Sequence, residues 1–318
     1  MNKRYIGIDL GGTSMKLGIV DADGQLLYQM EKPTQPEEGA DQGLRRIAAY
    51  SRELAEVTRT PWEQVGGLGI GLPGFLDIPN GVVVKLTNVP WSNVPVKERL
   101  ESALKIPVAI DNDANVAALG EAWSGAGAGL DDLICVTLGT GVGGGVITHG
   151  RLVHGVSGLA GEIGHIRVEE NGALCGCGQR GCVETISSAT GIVRLAREAE
   201  AAGRETSLAP LIHDSRLTAK DVFAAAERGD AVALEVVRKA ADALARVLAI
   251  LSVVNNPARF IIGGGVSKAG ETLFNPLRAA YAEHALAHSA KGVEIVAAQL
   301  GNDAGIIGAA GLTADREK

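Results

Sequence analysis

With 318 residues, 46% of them hydrophobic and 21% charged, the chain has ordinary globular composition and enough length for one large or two medium domains. Its formal net charge of -7 offers no basic stripe to neutralise phosphates, which argues against a nucleic-acid partner. Aromatic residues make up only 3%, so stacking platforms are scarce and a polar ligand must be held mainly by hydrogen bonds.

The opening Met1 to Arg4 is basic, but Asp9, Gly11, Gly12 and Lys16 interrupt the adjoining apolar run, a pattern unlike a signal peptide. The most apolar later run, Val247 to Val254, is far shorter than the roughly 20 residues of a membrane span. A soluble cytoplasmic protein is expected, with neither membrane nor nucleic acid as partner.

Tyr5 to Leu10 reads as a buried strand, Met15 to Val20 as its returning partner across the Gly11-Gly12 turn, and Leu26 to Met30 as a third strand. Between Glu38 and Thr58, Leu44, Ile47, Ala48, Ser51 and Leu54 recur at helical spacing. Leu68 to Gly71 is a further strand, ending in Leu72-Pro73-Gly74-Phe75. After a loop region comes a helix over Val94 to Leu104 and a strand over Val108 to Ile110 that stops at Asp111. Leu133 to Leu138, the turn Gly139-Thr140-Gly141 and the strand Gly144 to Thr148 then echo the opening hairpin. This weak internal duplication predicts two related α/β domains, joined near Asp111 to Trp123. The second half is helix-rich, with helices over Val183 to Ala201, Thr218 to Gly229 and Asp230 to Val254. In the last, Leu234, Val237, Ala241, Leu244, Leu248 and Leu251 form a stripe for the core. Arg259 to Ile262 is a strand leading into Gly263-Gly264-Gly265. A helix over Glu271 to His288, a strand over Val293 to Ala297 and a helix after Asn302 complete the chain.

Three of the four cysteines, Cys175, Cys177 and Cys182, lie within eight residues, and His165 precedes the first by ten. Thiolates and imidazole are the ligands zinc prefers, and four of them close a tetrahedral structural site. The alternative is a disulfide or idle thiols. A Cys175–Cys177 bridge would close a very tight, strained loop. With a metal in place, Glu162, His165 and Glu184 would be fixed around one small volume.

Three β-branched strands end in glycine clusters: Gly11-Gly12-Thr13, Gly139-Thr140-Gly141 and Gly263-Gly264-Gly265. Glycine lets turn N–H groups approach phosphate oxygens. None is a Walker A loop, and any one alone reads most simply as a hairpin turn, but three at comparable strand ends favour a nucleotide site. Asp111-Asn112-Asp113-Ala114-Asn115 follows a strand and precedes a helix. One such residue suffices for an N-cap; four polar residues at a strand's carboxyl end point to a catalytic carboxylate as well. His149, His154, His213, His284 and His288 lack paired spacing and are expected on the surface or in packing. Cys135 is expected as a small buried hydrophobe.

Asp9-Leu-Gly-Gly-Thr13, Gly71-Leu-Pro-Gly74, Asp111-Asn-Asp-Ala-Asn115, Leu138-Gly-Thr-Gly-Val-Gly-Gly-Gly145, Gly161-Glu-Ile-Gly-His165 and Cys175-Gly-Cys-Gly-Gln-Arg-Gly-Cys-Val-Glu184 together resemble the ROK family of sugar kinases and repressors. The resemblance spans nearly the whole chain. It implies an α/β fold of two RNase H-like, actin/hexokinase-like domains with an interdomain cleft. Residues 1–112 would form the first domain, completed by a C-terminal helix over 303–318. Residues 113–302 would form the second, with a zinc-binding insert at 165–182. The resemblance implies ATP with Mg2+ as cofactors, phosphoryl transfer to a hexose, structural Zn2+ and a homodimer.

By the same resemblance Asp113 matches the catalytic base, and Asn112, Glu162, His165 and Glu184 match sugar ligands, with Asn88 as an addition. His165, Cys175, Cys177 and Cys182 match zinc ligands. Gly11, Gly12, Thr13, Gly139, Thr140, Gly141, Gly263, Gly264 and Gly265 fall in the nucleotide turns, Lys16 on the strand after the first of them is a further cofactor-binding residue, and Asp9 falls at the position that helps hold magnesium. Glucose is the expected substrate; N-acetylmannosamine, N-acetylglucosamine or fructose is the alternative. A sugar-responsive repressor is the non-enzyme alternative, disfavoured because the first strand begins at Tyr5 and leaves no room for a winged helix. The pocket around Gly71 to Phe75 and His154 to Ser157 is expected to decide among sugars.

Overall fold

Ile6, Ile8 and Leu10, like Leu68, Ile70 and Leu72, fall at every second position of a strand and are all sealed from solvent, so they fill one face of a sheet. The structure is a computed structural model that describes residues 3–314. In chain order it contains β1 (Arg4–Leu10), β2 (Ser14–Val20), β3 (Leu26–Pro33), α1 (Gly39–Val57), β4 (Val65–Leu72), β5 (Gly74–Asp77), β6 (Val82–Leu86), β7 (Ser92–Val94), α2 (Val96–Leu104), β8 (Val108–Asn112) and α3 (Asp113–Ser124). There follow β9 (Leu133–Leu138), β10 (Val142–Thr148), β11 (Arg151–Leu152), α4 (Glu184–Ser187), α5 (Ala189–Ala201), α6 (Ala209–His213), α7 (Ala219–Glu227), α8 (Ala231–Val254), β12 (Arg259–Gly263), α9 (Glu271–His284), β13 (Glu294–Ala297) and α10 (Ala304–Gly311). No helix among the described residues is long and apolar enough to cross a membrane.

The chain divides into two compact units. One gathers the chain up to Asp131, Gly145–Gly161 and the segment from Gln299 onward; the other takes Asp132–Gly144 and Glu162–Ala298. One sheet runs β3-β2-β1-β4-β8, an antiparallel meander followed by parallel β4 and β8. Another runs β11-β10-β9-β12-β13, with β12 parallel to both β9 and β13. The same strand order twice over gives the echo between the two glycine-turn hairpins its structural meaning.

Three expectations need correction. The loop region before the helix at Val96 is a small antiparallel sheet, β5-β6-β7, whose strands are too short to show an alternating pattern. The helix expected over Val183 to Ala201 breaks at Ser188, which turns extended and caps α5 by accepting from Gly191 N–H. The helix from Glu271 stops at His284, because Ala285 is extended. Of the helix expected over 303–318, α10 covers Ala304–Gly311, and residues 315–318 lie outside the described residues.

Glycines let α10 approach the first unit backbone to backbone. A Cβ on Gly7 of β1 would stand 1.8 Å from the Ile306 carbonyl oxygen, and one on Gly69 of β4 would stand 1.7 Å from that of Ala309. On the other side of α10, a Cβ on Gly308 would stand 1.6 Å from the Val116 oxygen of α3, and one on Gly120 would stand 2.3 Å from that of Ala304. Only glycine fits these positions. The segment leading into α10 is held by Glu121, 3% exposed, whose carboxylate accepts from the N–H groups of Ala126, Gln299 and Leu300 at 2.8, 3.1 and 2.8 Å.

Since backbone cannot move aside as a side-chain tip can, Gly308→Ala should destabilise the protein by about 3 kcal/mol, the upper end for overpacked sites. Urea unfolding measures this directly, and an unchanged midpoint would mean that α10 tolerates displacement.

Candidate active site

Strand register assembles the first group of polar residues. Lys16 of β2 lies opposite Asp9 of β1, Asp9 opposite Gly71 of β4, and Gly71 opposite Asp111 of β8. These four positions form one row at the carboxyl ends of the parallel strands, where open α/β sheets bind ligands. Burial holds the Asp9 carboxyl above the usual carboxylate range, partly offset by the Lys16 charge. In the adjoining turn, Gly11 N–H donates to the Ser14 carbonyl at 2.9 Å, and the Thr34 hydroxyl donates to the Gly11 carbonyl at 2.8 Å. Gly12 faces Asn88, whose carbonyl oxygen would be 3.2 Å from an added Cβ. Asp9, Gly11, Gly12, Thr13, Lys16 and Asn88 therefore belong to one end of the first unit.

The Asp111–Asn115 turn joins that end. Asn112 caps α3, its Oδ1 accepting from Ala114 N–H at 2.8 Å; the same N–H lies 2.9 Å from Oδ1 of Asp113. Asp113 is exposed at the first position of the helix. Asp111 is 1% exposed, and its Oδ1 accepts from Asn112 N–H at 2.7 Å and from Asn115 Nδ2 at 2.8 Å. Its Oδ2 accepts from Nε2 of His154 at 2.6 Å. Here the expectation for His154 is corrected. It is the partner of a buried carboxylate, and no local spacing signals this because the two lie 43 residues apart.

In the second unit, Gly263 of β12 pairs with Thr137 of β9, which sets the Gly139–Gly141 and Gly263–Gly265 turns beside each other. Gly264 has φ +83 and presses on Leu138, where a Cβ would stand 2.4 Å from the carbonyl oxygen. A cavity of about 640 Å³ opens on these turns, with Gly139, Thr140 and Gly265 at one side. Its other walls were not legible from spacing: Thr218, Lys220, Phe223 and Glu227 from the start and face of α7, and Lys268 after β12.

Glu184 links the Gly139–Gly141 turn to the cysteine cluster. Its Oε2 accepts from Val142 N–H at 3.0 Å and fills the space beside Gly141, where a Cβ would stand 2.4 Å away. Its Oε1 lies 3.4 Å from the Cys175 sulfur. Cys175 N–H donates to the Gln179 carbonyl, and Gly178 N–H to the Cys175 carbonyl, a tight knuckle closed at Gly178, φ +88.

The ligand atoms of His165, Cys175, Cys177 and Cys182 all lie within 4.8 Å of one another, and no disulfide joins the cysteines. The Cys177 and Cys182 sulfurs are 3.7 Å apart, and the Cys175 sulfur is 3.6 Å from Nδ1 of His165. The edge of a tetrahedron with zinc–sulfur bonds of 2.3 Å is about 3.8 Å, so the donor set fits that ion. Burial pushes the Cys175 thiol up to about 12 and raises Cys182, whereas the Gln179 N–H lowers Cys177. Protonated thiols so close together would gain from a cation that holds them as thiolates. Nε2 of His165 stands 3.8 Å from Oε2 of Glu162.

A family model described as the ROK family matches residues 5–316. The chain is 44% identical to a glucokinase of Halalkalibacterium halodurans over 317 residues, covering 98% of this chain and 96% of that protein. It is 42% identical to a glucokinase of Thermotoga maritima, with 98% of both chains covered. Among solved structures, a ROK family glucokinase from Streptomyces griseus in complex with glucose and AMPPNP superposes with a TM-score of 0.77 at 37% identity, over 97% of this chain and 98% of that one.

The Asp111 hydrogen bond raises the His154 imidazole above its ordinary 6.5, despite partial burial. Its stabilising contribution is complete below pH about 6.5 and is lost as pH rises through the raised folded value. The Tm advantage of the wild type over His154→Gln should therefore be largest near pH 6 and shrink toward pH 9. A constant gap in thermal scans across that range would place the imidazole outside this linkage.

Proposed function

The chain belongs to the ROK family, and on that premise we propose that it is an ATP-dependent glucokinase, converting glucose and ATP to glucose 6-phosphate and ADP. The fold is of the actin/hexokinase-like kind. The observation that carries the residue assignment is the Asp111–Asn115 turn: one buried, fully engaged carboxylate beside an exposed one at a helix start. The first builds the turn, and the second stands where substrate can reach it.

A sugar hydroxyl is a weak acid and costly to ionise, but the loose transition state of phosphoryl transfer needs little proton transfer before the phosphoryl group moves. Asp113 would accept a hydrogen bond from the attacking 6-hydroxyl, align it, and take its proton late. Asn88, Asn112, Glu162, His165 and Glu184 are assigned to sugar hydroxyls. For Glu162 and His165 the support is that the Glu162 carboxylate faces Nε2 of His165, while Nδ1 faces the Cys175 sulfur. The Gly11–Thr13, Gly139–Gly141 and Gly263–Gly265 turns are assigned to ATP, supported by the cavity that opens on the latter two. Asp9 is assigned to Mg2+, whose charge would stabilise the transferring phosphoryl oxygens; a carboxyl raised by burial gains most from such a cation.

Zinc, held by His165, Cys175, Cys177 and Cys182, has a structural role in this reading, since four protein ligands leave no open position. Its effect on the sugar would pass through His165, with the ring's tautomer fixed by ligation at Nδ1. A cytoplasmic homodimer completes the proposal, supported by a patch of exposed Ile250, Val253, Val254 and Leu286.

A coupled ADP-release assay across glucose, mannose, fructose, N-acetylmannosamine and N-acetylglucosamine should give glucose the highest kcat/KM; no turnover on any of them overturns the kinase. Asp113→Asn should lower kcat by about 10²–10⁴-fold, the usual worth of a general base, while glucose binding by calorimetry persists. Near-normal turnover would reduce Asp113 to a helix-start residue. Metal analysis of protein purified without chelators should find about one zinc per chain, and its removal should lower Tm. Less than a tenth of that content would discard the metal.

A further inference from the structure

Oδ1 of Asp111 is engaged from within its own turn, by the N–H of Asn112 and the side chain of Asn115. Oδ2 is engaged from outside it, by His154, which follows β11 on a separate stretch of chain. We infer that His154 is the positioning residue for Asp113: by holding Oδ2 of Asp111, it fixes the rotation of that carboxylate, and with it the backbone step from Asn112 to Asp113.

The transmission is geometric. Asp111 is sealed from solvent, so water cannot replace a lost donor without rearrangement. If Oδ2 loses His154, the carboxylate must turn toward a new partner or take up a proton. Either change disturbs the N–H of Asn112, bonded to the other oxygen one residue before Asp113, and the amide of Asn115 in the first turn of α3. Asn112 is also the cap of that helix. Three supports of the Asp113 position thus converge on one carboxylate, and the histidine ties that carboxylate to a segment beyond the turn.

His154 is itself held. Its segment is tied to β10 by Val153 N–H donating to the Val146 carbonyl at 2.9 Å. Its own carbonyl accepts from Ala160 N–H at 3.1 Å, closing a short loop. Within that loop Gly155 and Gly158 have φ +69 and +77, and Val156 between them is wholly exposed. The loop runs on to Gly161, immediately before Glu162. The imidazole therefore ties the rigid foot of an otherwise open loop to the turn that carries Asp113.

The kinetic arm of the test rests on the glucokinase reading; a second arm does not. His154→Ala should lower kcat on glucose by about 30-fold while KM for glucose and for ATP moves by less than about threefold, because alignment is lost and binding groups are not. His154→Gln, which returns an N–H donor toward the same oxygen, should recover at least about a third of the wild-type kcat. Independently of turnover, hydrogen exchange followed by mass spectrometry should show the amides of residues 112–116 exchanging about tenfold faster in the alanine variant and near the wild-type rate in the glutamine variant. If His154→Ala does not fold, His154→Leu keeps bulk, removes the donor and is read in the same way. A donor-less variant with wild-type kcat, a glutamine variant as slow as alanine, or unchanged exchange over 112–116 overturns the inference. A wild-type protein that phosphorylates no hexose, yet shows the exchange pattern, sinks the kinase and leaves the positioning role standing.

Discussion

The first unit depends on the contact of backbone with backbone along α10. Gly7, Gly69, Gly120 and Gly308 remove the side chains that would hold this helix away from β1, β4 and α3. Helices that meet through side chains usually sit 8–10 Å apart, and small residues bring them closer at the cost of intrinsic helix stability. Here the closeness has a specific use. Since α3 begins at Asp113, the axis of α3 sets the line along which its first turn lies. The glycine seam sets the helix; the Asp111 network sets its first residue. Neither does both.

Among the buried or half-buried carboxylates of the described residues, Glu121, Asp111 and Glu184 each accept from groups distant in sequence. Glu121 gathers N–H groups from the end of α3 and from the segment entering α10. Asp111 gathers its own turn and His154. Glu184 gathers the strand after Gly141 and the Cys175 thiol. An anion removed from water needs several donors, and each one meets that need by drawing together segments that would otherwise be loosely related. Glu184 is the most consequential. It touches both a glycine turn assigned to ATP and a sulfur of the cluster assigned to zinc, so the two regions share a carboxylate.

The hairpin from Tyr5 to Val20, the long helix over Ala231–Val254 and the strand into Gly263 are legible in the sequence, because alternation, 3.6-residue spacing and glycine punctuation are local signals. The clustering of His165 with three cysteines is legible for the same reason: ligands ten and seven residues apart leave few alternatives. What escapes is set by distance. Nothing near His154 says that it meets Asp111, and nothing near Lys220 or Lys268 says that they flank the same cavity. The sheet β5-β6-β7 escapes for another reason, since its strands of four, five and three residues are shorter than any periodicity can resolve.

The placement of α10 also bears on how the protein is made. Strands β1 to β8 and helix α3 leave the ribosome early, yet the faces around Gly7, Gly69 and Gly120 stay uncovered until residue 311 has been added. At typical rates of translation, the stretch from Ser124 to Gly311 takes about 10–40 s to synthesise. All of the second unit is available once Ala298 has emerged, so the unit begun later is the first to be complete. The first unit has to wait with one face of its sheet open, an interval in which the finished fold does not yet cover that surface.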